Sequence, residues 1–125
     1  MKTAVQYQLK YCKEMFGVES VVLADRRGLV VSATDERAAE SQVIAAYAPL
    51  LVKAWDKLTL TQLMGSLSEY LPEMRREQLA LQSFSVWNEE LYLCTLGGQG
   101  ARKEMATARA VSGVRRIVER LTQIQ

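Results

Sequence analysis

The sequence contains no histidine, the side chain on which most acid–base catalysts and many metal sites depend. Its absence excludes the Ser-His and Cys-His nucleophile pairs and most types of zinc and iron site. The two cysteines, Cys12 and Cys94, are far apart and form no CxxC pair, which also excludes a zinc knuckle and a thioredoxin-like motif. We therefore expect a protein that is not an enzyme and holds no metal or cofactor, and we leave open whether the two cysteines form a disulfide.

Long uncharged apolar stretches are also lacking. Lys10, Lys13 and Glu14 interrupt the apolar residues of the N-terminal segment, and no later stretch reaches the roughly 18 residues that a membrane span requires. Charge of one sign is not in excess either, since 16 basic and 14 acidic residues give a formal charge of +2. We expect a cytoplasmic protein without membrane insertion, and nucleic acid is disfavoured as a partner.

The composition that is present is that of one globular domain covering residues 1–125. Hydrophobic residues make up 49% of the chain and charged residues 24%, which is enough apolar material to fill a core of this size. Seven glycines and two prolines are too few and too scattered to form a linker. No internal repeat suggests a second unit.

The first third of the chain predicts a helix followed by a hairpin. Val5, Leu9, Cys12 and Phe16 recur at helical spacing, which predicts a helix over residues 3–16 that ends at Gly17. The runs VESVVLA and LVVSA then predict two β-strands joined by a short loop that ends with a glycine, DRRG.

A long helix is predicted over residues 36–57, capped by Thr34 or Asp35. Pro49 lies inside it and predicts a kink, or alternatively two helices separated at Ala48. Its apolar residues are too numerous for one stripe: Val43, Ile44, Ala45, Ala46, Tyr47, Ala48, Leu50, Leu51, Val52, Ala54 and Trp55. A chain this short offers little to cover the second side of such a helix, so we expect a second copy to cover it.

The remaining residues predict a short helix, a second hairpin and a final helix. Leucines at helical spacing favour a helix ending near Pro72, although residues 58–61 also alternate as a strand would. Strands follow at 79–87 and in LYLCTL, with residues 88–90 as the turn between them. The GGQG cluster matches neither a Walker A loop nor a dinucleotide motif and favours a turn into a basic helix. The expected fold is α+β, an antiparallel sheet sandwiched by helices in the order α-β-β-α-(α)-β-β-α.

The segment GVESVVLADRRGLVVSAT, followed by the alanine-rich ERAAESQVIAAYAPLLVKAW, resembles the front half of the roadblock family. The match covers residues 5–57 well, and the later hairpin and final helix fit loosely. Family members usually continue from the long helix into three strands, whereas only two are evident here. The resemblance implies a roadblock or profilin-like sandwich that pairs through the long helix and an adjacent edge strand.

The resemblance implies a non-catalytic homodimeric adaptor or scaffold that binds a small Ras-like GTPase or another protein of a signalling or cell-polarity system. The positions implied at the dimer interface are Val43, Ala46, Tyr47, Leu50, Leu51 and Ala54 on the helix, with Leu81, Ser83 and Ser85 in the strand. As turn residues, Arg26, Arg27 and Trp87 are candidates for partner contact, because Arg and Trp are favoured anchors in interfaces.

An alternative function is that of a GAF-like or profilin-like sensor that holds a small ligand between sheet and helix. Four aromatic residues could line such a site: Tyr47, Tyr70, Tyr92 and Phe84. A role in core packing is the competing interpretation of each.

Overall fold

The computed structural model of the chain describes residues 2–36, 38–54, 56–72 and 74–123. Its elements follow the order predicted from the sequence: α1 (Lys2–Phe16), β1 (Ser20–Asp25), β2 (Val30–Ala33), α2 (Ala39–Lys53), α3 (Lys57–Tyr70), β3 (Leu79–Val86), β4 (Glu89–Leu96) and α4 (Arg102–Gln123). A 3-10 turn, Arg76–Gln78, leads into β3. The expected α+β class is confirmed.

The four strands form one antiparallel sheet in the order β2-β1-β4-β3. The two central strands, β1 and β4, are almost entirely buried because helices cover both faces of the sheet. An extra residue in β2 near Val31 produces a bulge, since Leu23 is opposite Ser32 while Ala24 is opposite Val30. Within the described residues, β2 and β3 are the edge strands.

Helices α1 and α4 pack on one face of the sheet, where they bury Leu9, Val21, Leu93 and Val114. The two helices lie close together, since a Cβ added to Gly113 of α4 would overlap the Gln8 side chain of α1. A buried hydrogen bond from Thr107 Oγ1 to Thr95 Oγ1 (2.8 Å) joins α4 to β4. This layer is therefore fixed to the sheet by both apolar packing and a polar contact.

Helices α2 and α3 cover the opposite face of the sheet. Ile44, Ala48 and Leu51 of α2 and Leu67 of α3 pack against Tyr92 and other residues of the central strands. The short helix predicted to end near Pro72 is thus present, and the strand alternative for residues 58–61 is wrong.

The single helix predicted over residues 36–57 is shorter at both ends. It begins at Ala39 rather than after Thr34 or Asp35, because residues 34–36 form a turn in which the Asp35 carbonyl accepts hydrogen bonds from Ala38 N and Ser41 Oγ. It ends at Lys53, and the next helix is capped by Asp56, whose side chain accepts from Thr59 N at 2.7 Å. The helix continues through Pro49 without a break at Ala48, and Trp55 lies outside the described residues.

The second hairpin has a tighter turn than the sequence predicts. Residues 87 and 88 alone connect the two strands, and Glu89 and Glu90 already belong to β4.

Candidate interaction site

The turn between β1 and β2 is organised by the carboxylate of Asp25. Its Oδ1 accepts hydrogen bonds from Arg27 N (2.8 Å) and Leu29 N (3.2 Å), and its Oδ2 accepts from the Arg27 guanidinium (3.3 Å). Desolvation alone would raise the pKa of Asp25, but these hydrogen bonds and the Arg27 charge outweigh it and hold the pKa below its ordinary value. The turn therefore presents exposed Arg26 and Arg27 from a defined backbone.

Gly28 fixes this turn against α2. Its φ is +79°, and a Cβ at this position would lie 3.1 Å from the Cα of Ala46. Glycine is favoured here both by the left-handed backbone and by the close approach. The first hairpin is thereby docked on α2.

The turn between β3 and β4 places Trp87 and Asn88 at φ 52° and 66°. Positive φ at both central residues is the requirement of a type I′ turn, where Asn and Gly are favoured and a bulky aromatic residue is strained. The Trp87 side chain is nevertheless 58% exposed, so little packing offsets this strain. An exposed aromatic residue held in a strained conformation is a candidate for binding.

The structure brings the three predicted partner-contact residues together. Arg26, Arg27 and Trp87 all line one cleft of about 830 Å³ at the turn end of the sheet. Apolar side chains of α1, α4 and the sheet also line it: Val5, Leu23, Val31, Val86, Leu91, Val114 and Val118. A cleft of this size, lined by apolar side chains and a few charged ones, is typical of a binding site. We call it the turn-end cleft.

One residue of the turn-end cleft was not predicted. Ser32 lines it, and the buried Oγ of Ser32 has no hydrogen-bond partner among the described residues. Such a hydroxyl costs free energy when buried, so its position against a cleft marks a place where a ligand or partner could donate or accept a hydrogen bond. Sequence alone gives little signal for it, because the bulge in β2 decides which face Ser32 occupies.

The residues predicted at the dimer interface have mixed environments. Ala46, Leu50, Ser83 and Ser85 are exposed, and Leu50 in particular leaves 52% of its surface uncovered. Partly buried positions are Val43, Tyr47, Ala54 and Leu81, while Leu51 is buried in the core between α2 and the sheet. The outer surface of α2 and the edge strand β3 therefore present part of the predicted set.

Helix α3 covers part of the second side of α2. Tyr47 Oη and Ser66 Oγ are 2.5 Å apart in a hydrogen bond, and the rings of Tyr47 and Tyr70 lie 6.5 Å apart at a tilt. Leu60, Leu63 and Met64 of α3 also pack against the α2 side of the core. The expectation that this chain has little to cover that side is thus wrong in part, because the segment that follows α2 folds back onto it.

The four aromatic residues of the alternative sensor function do not surround a common site. Tyr92 belongs to the core on the α2 side, whereas Phe84 lies on the opposite face of the sheet, where the Arg115 guanidinium is 5.8 Å from its ring centroid. Tyr47 and Tyr70 contact each other between α2 and α3. Burial, followed by the neighbouring Glu90 carboxylate, raises the pKa of the Tyr92 phenol. These residues pack the two layers rather than line one cavity.

The two cysteines are free and buried on opposite faces of the sheet. Desolvation raises the pKa of both thiols, most strongly that of Cys94. High thiol pKa and burial both suppress nucleophilic reactivity. In the described ranges, no group of three or more His, Cys, Asp or Glu side chains is placed to hold a metal ion.

The glycine cluster forms the turn between β4 and α4. Gly97, Gly98 and Gly100 all have positive φ, and a Cβ at Gly97 would lie 2.6 Å from Cγ of Glu19. Gly97 also borders a second cleft of about 500 Å³ that Glu19 and Glu40 line. Two carboxylates at this place oppose the binding of a phosphate, which agrees with the interpretation of the cluster as a turn.

Comparison with known proteins identifies a similar fold. No protein-family model matches the sequence, and no curated protein matches it. Among solved structures, Myxococcus xanthus MglB is similar with a TM-score of 0.62 at 15% sequence identity, and the alignment covers 96% of this chain and 91% of that chain. The similarity extends over almost the whole chain and confirms the fold expected from the sequence. The chain has a roadblock-like fold.

Proposed function

We propose that this chain is a non-catalytic homodimeric adaptor that binds a small Ras-like GTPase, or another protein of a signalling or polarity system, and alters its state by differential contact. The observation that carries the proposal is the roadblock-like fold together with its similarity to MglB. Under this proposal the chain acts in the cytoplasm, and any nucleotide chemistry belongs to the partner.

Pairing of two copies is supported by two uncovered features on adjacent elements. Strand β3 has an outer edge that no other described strand pairs with, and such an edge can add a strand from a second chain. Leu50 on α2 is a large apolar side chain left half exposed. The exposed serines Ser83 and Ser85 allow another backbone to approach β3 closely. A two-fold pair would bury these features in one self-complementary interface.

The turn-end cleft is the proposed contact with the partner protein. Arg26 and Trp87 have the residue types that dominate binding free energy in interfaces, and Trp87 is exposed already in the isolated chain. The acidic residues Glu89 and Glu90 also line the cleft, so charges of both signs are available to orient a partner.

The pairing part of the proposal is tested by Leu50→Glu in light scattering of the purified chain. Wild type should be dimeric at micromolar concentration. The variant should be monomeric, because an unpaired charge in a buried interface is strongly unfavourable. Leu58→Glu is the matched control, because Leu58 is 68% exposed on α3 and lies outside the predicted interface. A monomeric wild type, or equal effects of the two variants, would contradict the proposed pairing.

The partner part is tested by affinity capture from native lysate, supplied with GDP or with a non-hydrolysable GTP analogue. Wild type should enrich a Ras-like GTPase in a nucleotide-dependent manner, and Trp87→Asn should reduce its recovery. The recovered GTPase is then purified, and its single-turnover GTP hydrolysis and nucleotide exchange are measured with and without this chain. Absence of any GTPase among the enriched proteins would contradict a GTPase as the partner, and absence of any enriched signalling or polarity protein would contradict the partner part as a whole.

A further inference from the structure

The layer formed by α1 and α4 carries most of the positive charge of the molecule. These two helices contain nine basic and three acidic residues, a formal charge of +6, whereas the rest of the chain has a formal charge of −4. The overall charge of +2 conceals this separation. The molecule therefore has one strongly basic side, which the balance of charge over the whole sequence does not reveal.

Three exposed arginines form a line along α4. Arg102, Arg109 and Arg116 recur at every seventh residue, which places them on the same side of the helix over about 21 Å. Among the described residues, none of the three has a carboxylate within ion-pair distance. Their positive charge is therefore available to an external anion.

An exposed ridge of large side chains on α1 runs beside this line. Tyr7, Tyr11 and Met15 occur at intervals of four residues and are 76%, 44% and 54% exposed. Gln8 of α1 lies against Gly113 of α4, and Cys12, one turn later in α1, interacts electrostatically with Arg109, one turn earlier in α4. The two helices are therefore antiparallel neighbours. We define the outer face as Tyr7, Tyr11, Met15, Arg102, Arg109 and Arg116.

We propose that the outer face binds the surface of an anionic lipid bilayer. Evenly spaced arginines complement a laterally continuous layer of phosphate and carboxylate headgroups, and each basic residue near such a surface raises partitioning about fivefold. Tyrosine is favoured at the boundary between headgroups and acyl chains, where its ring and hydroxyl meet different environments. None of the six residues lines either cleft described above, so the face offers spread charge rather than a socket for one acidic side chain.

The attachment is peripheral. Within the residues described, no helix combines the length and the apolar character needed to cross a bilayer.

One copy of the chain carries the complete outer face, so the proposal does not depend on pairing. Antiparallel pairing of two β3 edges about a two-fold axis would place both outer faces on the same side of the joint sheet and double the charge presented to the membrane.

The test measures cosedimentation of the full chain with vesicles of phosphatidylcholine containing about one-third phosphatidylserine. Wild type should bind these vesicles at low salt, bind pure phosphatidylcholine vesicles weakly, and be released as salt shortens the screening length. The double variant Arg109→Glu with Arg116→Glu should weaken binding by at least about twenty-five-fold, since two attractive contacts are lost and two repulsive ones gained.

The control is Lys57→Glu with Arg75→Glu, which changes the net charge equally at exposed positions outside α1 and α4. It should retain binding within about twofold, and circular dichroism should show that all variants are folded. No binding of wild type to the anionic vesicles, or equal losses in both double variants, would overturn the proposal. Capture of an acidic protein through the same arginines without vesicle binding would also overturn it. Leu50→Glu should still bind vesicles as a monomer, so a failure of the proposed pairing can be distinguished from a failure of membrane binding.

Discussion

Trp87 occupies a backbone conformation that few bulky residues adopt, and its half-exposed ring gains little packing in return. We predict that Trp87→Asn raises the free energy of unfolding by about 1 kcal/mol, because asparagine is favoured at positive φ. Urea denaturation measures the change. Leu29→Asn is the control, since it removes another half-exposed apolar side chain beside a turn at a residue without positive φ, and it should not stabilise. Destabilisation by Trp87→Asn would mean that packing of the indole outweighs the backbone strain.

The Asp25 carboxylate makes the first turn dependent on pH. A folded pKa below the unfolded value means that ionised Asp25 stabilises the fold at pH values above the unfolded pKa of about 3.9. That contribution is lost as pH falls through the lower folded pKa. We predict that wild type is more stable than Asp25→Asn at neutral pH and that the difference vanishes in strong acid. Denaturation curves at a series of pH values test this, and a difference that persists unchanged into acid would contradict it.

At the scale of elements, the sequence predicts those parts whose pattern is complete within one segment. The stripe of α1 and the β-branched runs of the first hairpin are local signals, and the structure confirms them. The end of α2 is harder to predict because apolar residues continue past Lys53, and the boundary depends on the cap that Asp56 supplies to α3. The contact of Tyr47 with Ser66 joins residues 19 apart, and no periodic pattern in the sequence indicates it. Likewise, the turn residues could be predicted as exposed, but not the cleft they share.

Leu67 is the one fully buried residue of α3 among those described, and it packs in the core between α2, α3 and the sheet. We predict that Leu67→Ala lowers the free energy of unfolding by about 3 kcal/mol, as expected for a cavity in a packed core. In this variant, amide hydrogen exchange should accelerate more in α3 than in α1 or α4, because the layer formed by α1 and α4 is independent of the Leu67 contact. Leu58→Ala at an exposed site of the same helix should change stability by less than about 0.5 kcal/mol. A loss below about 1 kcal/mol for Leu67→Ala would show that α3 contributes little to the fold.

For the whole molecule, the proposed pairing couples folding to association, because β3 leaves an edge open and α2 leaves Leu50 uncovered. A protein that unfolds from a dimer to two unfolded chains becomes more stable as its concentration rises. We predict that the Tm of wild type increases by roughly 3 °C for each tenfold increase in concentration. The Tm of Leu50→Glu should be independent of concentration, whereas Leu58→Glu should behave as wild type. Scanning calorimetry over two decades of concentration decides the matter: a wild-type Tm that stays constant would mean that the folded unit is a single chain, with α3 providing the cover that a second copy would otherwise supply.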